Sequence, residues 1–494
     1  MRSGWIVIPI ICALAAAAAT ARGQSYQDDV GYTRLQAEQG EATPNGAGVP
    51  VTQIEGDVDQ GVDDFFPDTT DPEFSGKTIT PDSTPYSTSY HATVVGRYFY
   101  GNNSSLSPGI TSVNVYEADD WAGNQFLNTN TNSLPDYTTD RVANHSYIGE
   151  FDTDAGTFEP AMTLDALHRF DYVIQHDDYI NVVAVDDPGG AQYAEWADSF
   201  NAISVGLTSG TAASGTTGNL DDPQNLYVAG RAAPDVVTPL GETSYATPLV
   251  ASAAAMLVEF AHNNPSLSSA SFVSPRTGLT LEYAETADVI KAAIMAGADR
   301  VTNNGYNDDI SYYGQSGDQT QNGLDTRYGA GQLDVYNSYH IIAAGQQGPG
   351  TIGTYGFDYN PASSDTAVED YTFSGHYGVA ATLAWNIHID DSMNATLANY
   401  QLHLYQLTDD GSIAIAASVS TIDNTQNIYV NGLDSADTYE LEVTRTDNLG
   451  DWDYGLAWDL APAPEPAAAP AIAVAMGMIA LLRRRNPKRI PMSK

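Results

Sequence analysis

Between residues 48 and 345, short apolar runs alternate with longer stretches in which apolar residues return every three to four positions. Residues 48–57 (G-V-P-V-T-Q-I-E-G-D) read as a strand that ends in acids. Leu164, Leu167, Phe170 and Ile174 mark one face of a helix within 164–176. Residues 235–237 form a short apolar strand running into a Pro/Gly turn. From Thr243 to Phe260 an Ala, Leu, Val and Met-rich run is long enough for a buried helix. Pro248 is expected in the first turn of that helix, where backbone N–H groups have no internal partner. A further amphipathic helix is expected over 282–300, and a polar loop over 302–326. Between 354 and 460 the period changes to two. Runs such as Tyr400-Gln401-Leu402-His403-Leu404-Tyr405 read as half-buried strands between Asp, Gly and Asn turns. The first pattern implies an α/β domain with a doubly wound, mostly parallel sheet, and the second a small all-β sandwich.

The ends and joints have their own composition. Residues 1–23 carry an early Arg2, an apolar stretch from Trp5 to Ala19 and a small-x-small site at 19–21, which together read as a secretory signal peptide. Residues 24–47 are a polar, extended N-terminal lead. The α/β domain is expected over 48–345, a Gly/Gln/Pro linker over 346–353, and the sandwich over 354–460. Residues 461–466 (A-P-A-P-E-P) form a stiff linker to an apolar segment, 467–482, followed by three arginines.

Composition narrows the function classes. The chain has 494 residues and a formal net charge of −43. Of its 19 Lys and Arg, two lie in 1–23 and six after Leu482, so 11 face all 62 acidic residues in between. Such a surface excludes nucleic acid and anionic membranes as partners and suits an extracellular protein; membrane contact is expected only through the C-terminal tail. The single cysteine, Cys12, lies in the signal segment, so the remainder has no disulfide, cysteine nucleophile or thiolate metal site. No cofactor is implied and no metal-ligand set is assigned. The many carboxylates leave structural calcium open, although no complete D-x-[DN]-x-[DN]-G loop with its distal Glu is present.

Candidate chemistry concentrates in three segments. Ser244 stands where the 243–260 helix begins, and free N–H groups and the helix dipole there favour developing negative charge. The bland alternative is a capping serine. The segment P-D-V-V-x-P then T-S-Y-A-T-P-L-V-A-S-A, at 234–253, resembles the nucleophile region of the subtilisin-like serine peptidases (subtilases). In that resemblance Ser244 is the nucleophile. Glu242 and Ser252 replace glycines of the family pattern, and the connection from Pro239 to Thr243 is short. Ser89-Tyr90-His91-Ala92-Thr93-Val94-Val95-Gly96 resembles the family's H-G-T-x-V-A-G helix start, with His91 as general base. The 48–57 strand resembles the one bearing the first triad member, with Glu55 in place of Asp and Asp57 as the fallback. Glu can hold a histidine in the right tautomer, from a backbone set slightly further back. The order Glu55, His91, Ser244 is that of subtilisin.

Weaker matches extend the resemblance over residues 46–344. Residues 141–149 resemble the edge that pairs with substrate backbone, and 199–206 and 328–336 resemble later family segments. Residues 179–189 resemble the strand ending in the amide that donates to the oxyanion. Anchored on Gly189, that position is Asp187, and an ionised Asp cannot donate. Three outcomes stay open: a protonated Asp187, another donor such as Asn144 or Asn181, or a weak or inactive peptidase. The tail resembles a PEP-CTERM sorting signal, implying export to the surface of a bacterium through sorting machinery. The resemblance thus implies an exported serine endopeptidase acting on protein or peptide substrates. The alternative is a subtilase-fold surface-binding module. A carboxyl-type serine peptidase, with Glu and Asp in place of His, is opposed by His91 in its H-x-T context.

Overall fold

Seven strands build the main sheet: β1 (Val51–Glu55), β2 (Thr78–Pro81), β3 (Ser112–Glu117), β4 (Val142–His145), β5 (Ile180–Ala184), β6 (Ile203–Leu207) and β7 (Val236–Thr238). They lie in the order β7-β6-β5-β4-β1-β3-β2, and each neighbouring pair is parallel. The computed structural model describes residues 25–57, 62–149, 160–185, 195–210, 215–216, 230–302, 310 and 313–460. The signal segment 1–23, Asp187 and the tail 461–494 lie outside the described residues.

Parallel neighbours cannot be joined by tight turns, and two helices lie in the longer connections between strands of the sheet. In chain order the α-helices of four residues or more are α1 (Tyr26–Asp29), α2 (Tyr32–Gln39), α3 (Tyr90–Tyr100), α4 (Pro160–Asp177), α5 (Thr243–Asn263), α6 (Ala287–Gly297) and α7 (Val335–Ala343); α3 lies between β2 and β3, and α4 between β4 and β5. The strand order reverses at β1: the chain passes from β1 to the edge strand β2, returns to β3 beside β1, and then continues through β4, β5, β6 and β7 on the other side. Strands β1, β4, β5, β6 and β7 are buried along their whole length, as parallel strands covered on both sides must be. Helix α5 packs over β4, β5 and β6 and against α3. Among the described residues it is the one helix long and apolar enough to cross a bilayer, and it is a core helix here.

The C-terminal region folds as two mainly antiparallel sheets. Its main strands are β8 (Tyr355–Ser363), β9 (Val368–Ser374), β10 (Gly378–Ala384), β11 (Tyr400–Thr408), β12 (Gly411–Ser418), β13 (Thr425–Asn431), β14 (Thr438–Arg445) and β15 (Trp452–Asp459). One sheet runs β9-β14-β11-β12, with a short parallel strand, Gly350–Thr351, outside β9; the other runs β8-β15-β10-β13. Their inner faces share a core that includes Trp385, Trp458, Tyr371, Tyr400 and Tyr454.

Three sequence expectations change. The polar lead is not extended: α1 and α2 occupy it, and Val30, Tyr32 and Leu35 are buried. Too few apolar residues lie there to show a helical period, yet these three suffice to dock the segment. Pro248 sits in the second turn of α5, not the first, so it withholds the N–H that the Ser244 carbonyl would otherwise accept. The expected amphipathic helix over 282–300 is regular only from Ala287 to Gly297, and all its residues are buried, Asp288 and Lys291 included. The sandwich covers its outer side, with β10 and β15 packed on α6. At Gly455 of β15 the backbones approach so closely that a Cβ would lie 2.9 Å from the Asp288 carbonyl carbon and the Val289 nitrogen. Lys291 Nζ donates to the Phe200 and Ala202 carbonyls at 3.1 and 2.7 Å.

Closing these surfaces buries carboxyls, and that has a pH consequence. Burial pushes Asp177 and Asp334 up to about 7 and Asp178 up to about 6. It raises Asp288 as well, with the negative charges of Asp453 and Asp178 adding to the effect. In an unfolded chain such groups titrate near ~3.9. A folded pKa above the unfolded one favours the native state while the group stays protonated. Their contribution is therefore full below about pH 4 and is lost as pH rises through the folded values of about 6 and about 7. The melting temperature is expected to fall from pH 5 to pH 8. Asp334→Asn, which keeps an acceptor for the Asn337 N–H, should flatten that fall. Calorimetric scans of parent and variant with the same slope would exclude Asp334 as a contributor.

Candidate active site

Residues two apart on a strand face the same way, so Gln53 and Glu55 project together from β1. Glu55 is the last residue of β1 and only 1% exposed. On the neighbouring helix, Ser89 caps α3 by accepting the Ala92 N–H, which makes His91 the second helical residue. There His91 Nδ1 meets Glu55 Oε2 at 2.8 Å. A carboxylate partner holds the proton on Nδ1 and leaves Nε2 as the acceptor. Glu55 Oε1 accepts from Gln53 Nε2 at 2.8 Å. The His91 side chain is 29% exposed, so a buried acid backs a partly exposed imidazole.

Ser244 comes to this pair from the other end of the sheet. Glu242 is the extended residue before α5, without a side-chain cap bond, and Ser244 is the second helical residue. The cap position of the bland reading thus belongs to Glu242. The Ser244 N–H lies in the first turn, which has no intrahelical acceptor and where the helix dipole favours anions. Its Oγ donates to the Ser146 carbonyl at 3.2 Å, just beyond β4. The ring of the next residue, Tyr245, lies 6.4 Å from that of His91. Glu55 ends β1, and Ser146 and Ser244 follow β4 and β7, at the carboxyl ends where open α/β sheets carry their sites.

The other sequence candidates are placed differently. Asp57 lies beyond the end of β1, its carboxyl raised by burial and then by Asp63, Asp64 and Asp119. The carboxylate on His91 is that of Glu55. Asn144 is fully buried in β4 with Nδ2 donating to Ser146 Oγ at 2.9 Å. Asn181 is fully buried in β5, with Nδ2 donating to the Tyr179 carbonyl at 2.7 Å and Oδ1 against His145 Nε2 at 2.9 Å. One donation of each amide is thus accounted for, that of Asn144 by the residue whose carbonyl meets Ser244. Burial lowers His145 to about 4, keeping it neutral.

Some residues of the site escaped the sequence reading. Glu117, the last residue of β3, is in register with Glu55 and is pushed up to about 7 by burial, with Asp119 and Asp57 adding repulsion. Gln53 gave one signal, a long polar side chain within an otherwise strand-like run. Among the described residues, one acidic trio, Asp370, Glu440 and Glu442, has oxygens within 4.8 Å of one another. It lies on β9 and β14 of the sandwich, away from the sheet that carries Glu55.

The architecture fits a subtilisin-like α/β fold. No family model matches the sequence, and no curated protein matches it. Among solved structures the chain is similar to the PatG macrocyclase in complex with peptide, at 11% identity and TM-score 0.39, over 64% of this chain and 97% of that one. It is also similar to tripeptidyl peptidase 2, at 11% identity and TM-score 0.30, over 75% and 40% of the two chains. A cold adapted subtilisin-like serine proteinase matches at 16% identity and TM-score 0.29, over 54% and 86%. Similarities of this size carry no weight for activity, which has to be argued from the side chains.

Proposed function

We propose that this chain is an exported serine endopeptidase of subtilisin type. Ser244 Oγ attacks the scissile carbonyl. His91 Nε2 takes the hydroxyl proton and returns it to the leaving amine. Glu55 holds the Nδ1 proton and stabilises the imidazolium. The Ser244 N–H at the start of α5 faces the developing oxyanion. The observation that carries this reading is the 2.8 Å contact between His91 Nδ1 and buried Glu55 Oε2. A buried acid on Nδ1 makes Nε2 of a partly exposed histidine the atom that takes up a proton. Export follows from the signal-like segment 1–23 and the sorting-type tail 461–494, with a peptide chain as substrate.

A second reading, an inactive surface-binding module, is favoured by one contact. The Ser244 hydroxyl donates to the Ser146 carbonyl, and it must rotate before it can give its proton to His91. Labelling purified 24–460 with a fluorophosphonate separates the two. Parent protein is expected to be labelled and Ser244→Ala not. A folded parent left unlabelled from pH 5 to pH 9 would overturn the peptidase reading.

A further inference from the structure

Gln53 is fully buried in a strand covered on both sides, where an apolar side chain would pack without needing partners. It has three partners. Its nitrogen faces Glu55 Oε1 at 2.8 Å and the Ala92 carbonyl at 2.9 Å. Its oxygen faces the Tyr100 hydroxyl at 2.6 Å. A reversed amide would set oxygen against a carboxylate and a carbonyl, neither of which can donate, so these neighbours determine the orientation. Tyr100 must then be the donor. Burial, and after it the charge of Glu55, hold the Tyr100 hydroxyl well above the usual tyrosine value, so it keeps its proton. Gly96, one turn earlier on α3, leaves space for that hydroxyl: a Cβ there would lie 2.6 Å from it.

A glutamate has one more rotatable bond than an aspartate, and its carboxylate is correspondingly harder to hold in one place. Here both oxygens are held, Oε1 by Gln53 and Oε2 by His91. We propose that Gln53 and Tyr100 are positioning residues for the His91–Glu55 pair. The chain from Tyr100 through Gln53 to Glu55 clamps the longer acid so that its second oxygen meets His91 Nδ1. Because Gln53 also holds the Ala92 carbonyl, the same clamp ties the strand of the acid to the helix of the histidine. Its kinetic consequence rests on the peptidase reading; its structural consequence does not.

The test compares Gln53→Leu and Tyr100→Phe with the parent, in protein comprising residues 24–494. Two readouts are taken: kcat and KM across pH on a peptide substrate, and the NMR resonance of the His91 Nδ1 proton, assigned by its loss in His91→Gln. Gln53→Leu is expected to lower kcat about 10–100-fold with KM unchanged, as loss of a supporting hydrogen bond behind a reacting group does. The acid limb of its pH profile should move, because the charge facing His91 Nδ1 is no longer held in one place. The Nδ1 proton resonance should move upfield. Tyr100→Phe should show the same changes at smaller size. Should Gln53→Leu not fold, Tyr100→Phe, which removes a single oxygen, carries the comparison. Parent-like kcat, acid limb and Nδ1 proton resonance in the folded variants would overturn the clamp. If the parent neither turns over peptide nor reacts with fluorophosphonate, the peptidase reading fails and the Nδ1 proton comparison alone decides the clamp.

Discussion

In the proposed peptidase, Glu55→Gln is expected to lower kcat about 10³–10⁴-fold, with little change in KM. The direction of the hydrogen bonds explains the size. Gln53 Nε2 already donates to Oε1 of residue 55. An amide at 55 would keep its oxygen on that donor and turn its own N–H₂ toward His91 Nδ1. The imidazole would then have to accept at Nδ1 and carry its proton on Nε2, the atom that must receive the Ser244 proton. It would also lose the negative charge that stabilises the imidazolium. The wrong tautomer and the missing charge act on the chemical step and leave substrate binding alone. Steady-state kinetics on a fluorogenic peptide would show this as a fall in kcat alone. A variant with parent-like kcat would mean that His91 works without its acid.

Glu285→Ala is expected to destabilise the fold by about 3–5 kcal/mol, the usual cost of removing one partner of a buried ion pair. Glu285 is fully buried between α5 and α6. Its carboxylate accepts from Arg141 Nη1 at 2.5 Å, from His262 Nδ1 at 2.9 Å and from the Glu282 N–H at 2.9 Å. Arg141 is 6% exposed and leads directly into β4, the strand that presents Ser146 to Ser244. Without Glu285 the buried guanidinium loses its ion-pair partner. Removing both charges is different: Arg141→Met with Glu285→Leu should recover most of the loss, since buried pairs often break even against apolar residues of similar volume. Urea unfolding would give these differences as shifts in midpoint at constant slope. A loss below about 1 kcal/mol for Glu285→Ala would place the pair in an effectively solvated setting, as exposed ion pairs behave.

Much of the site could be read before any coordinates because its elements are local. A short apolar run closed by an acid, a serine-capped helix start and a Pro/Gly turn before an Ala-rich run each show within a dozen residues. They placed Glu55 at a strand end and His91 and Ser244 in the first turns of their helices. A side-chain donor for the proposed oxyanion could not be read in this way. Asn144 and Asn181 look alike in sequence, yet one amide donates to Ser146 beside Ser244 and the other to the Tyr179 carbonyl, and Asp187 lies outside the described residues. The helix at Ala287–Gly297 misled for a related reason. Asp288 and Lys291 mark a solvent-facing side only if nothing covers it, and the cover comes from strands more than eighty positions later.

The sequence by itself determined the alternation of strands and helices, the change of period near residue 354 and the order of acid, histidine and serine. Periods of 2 and 3.6 residues are properties of adjacent side chains, and no distant contact is needed to express them. Only the tertiary structure decided which acid meets His91, since Glu55 and Asp57 share one side of an extended chain and differ in what α3 brings against them. It also decided that Gln53 and Tyr100, 47 positions apart, close a hydrogen-bond chain behind that acid. A hydrogen bond depends on a few tenths of an ångström and on which atom carries the proton, and those are settled only when helix and strand have packed.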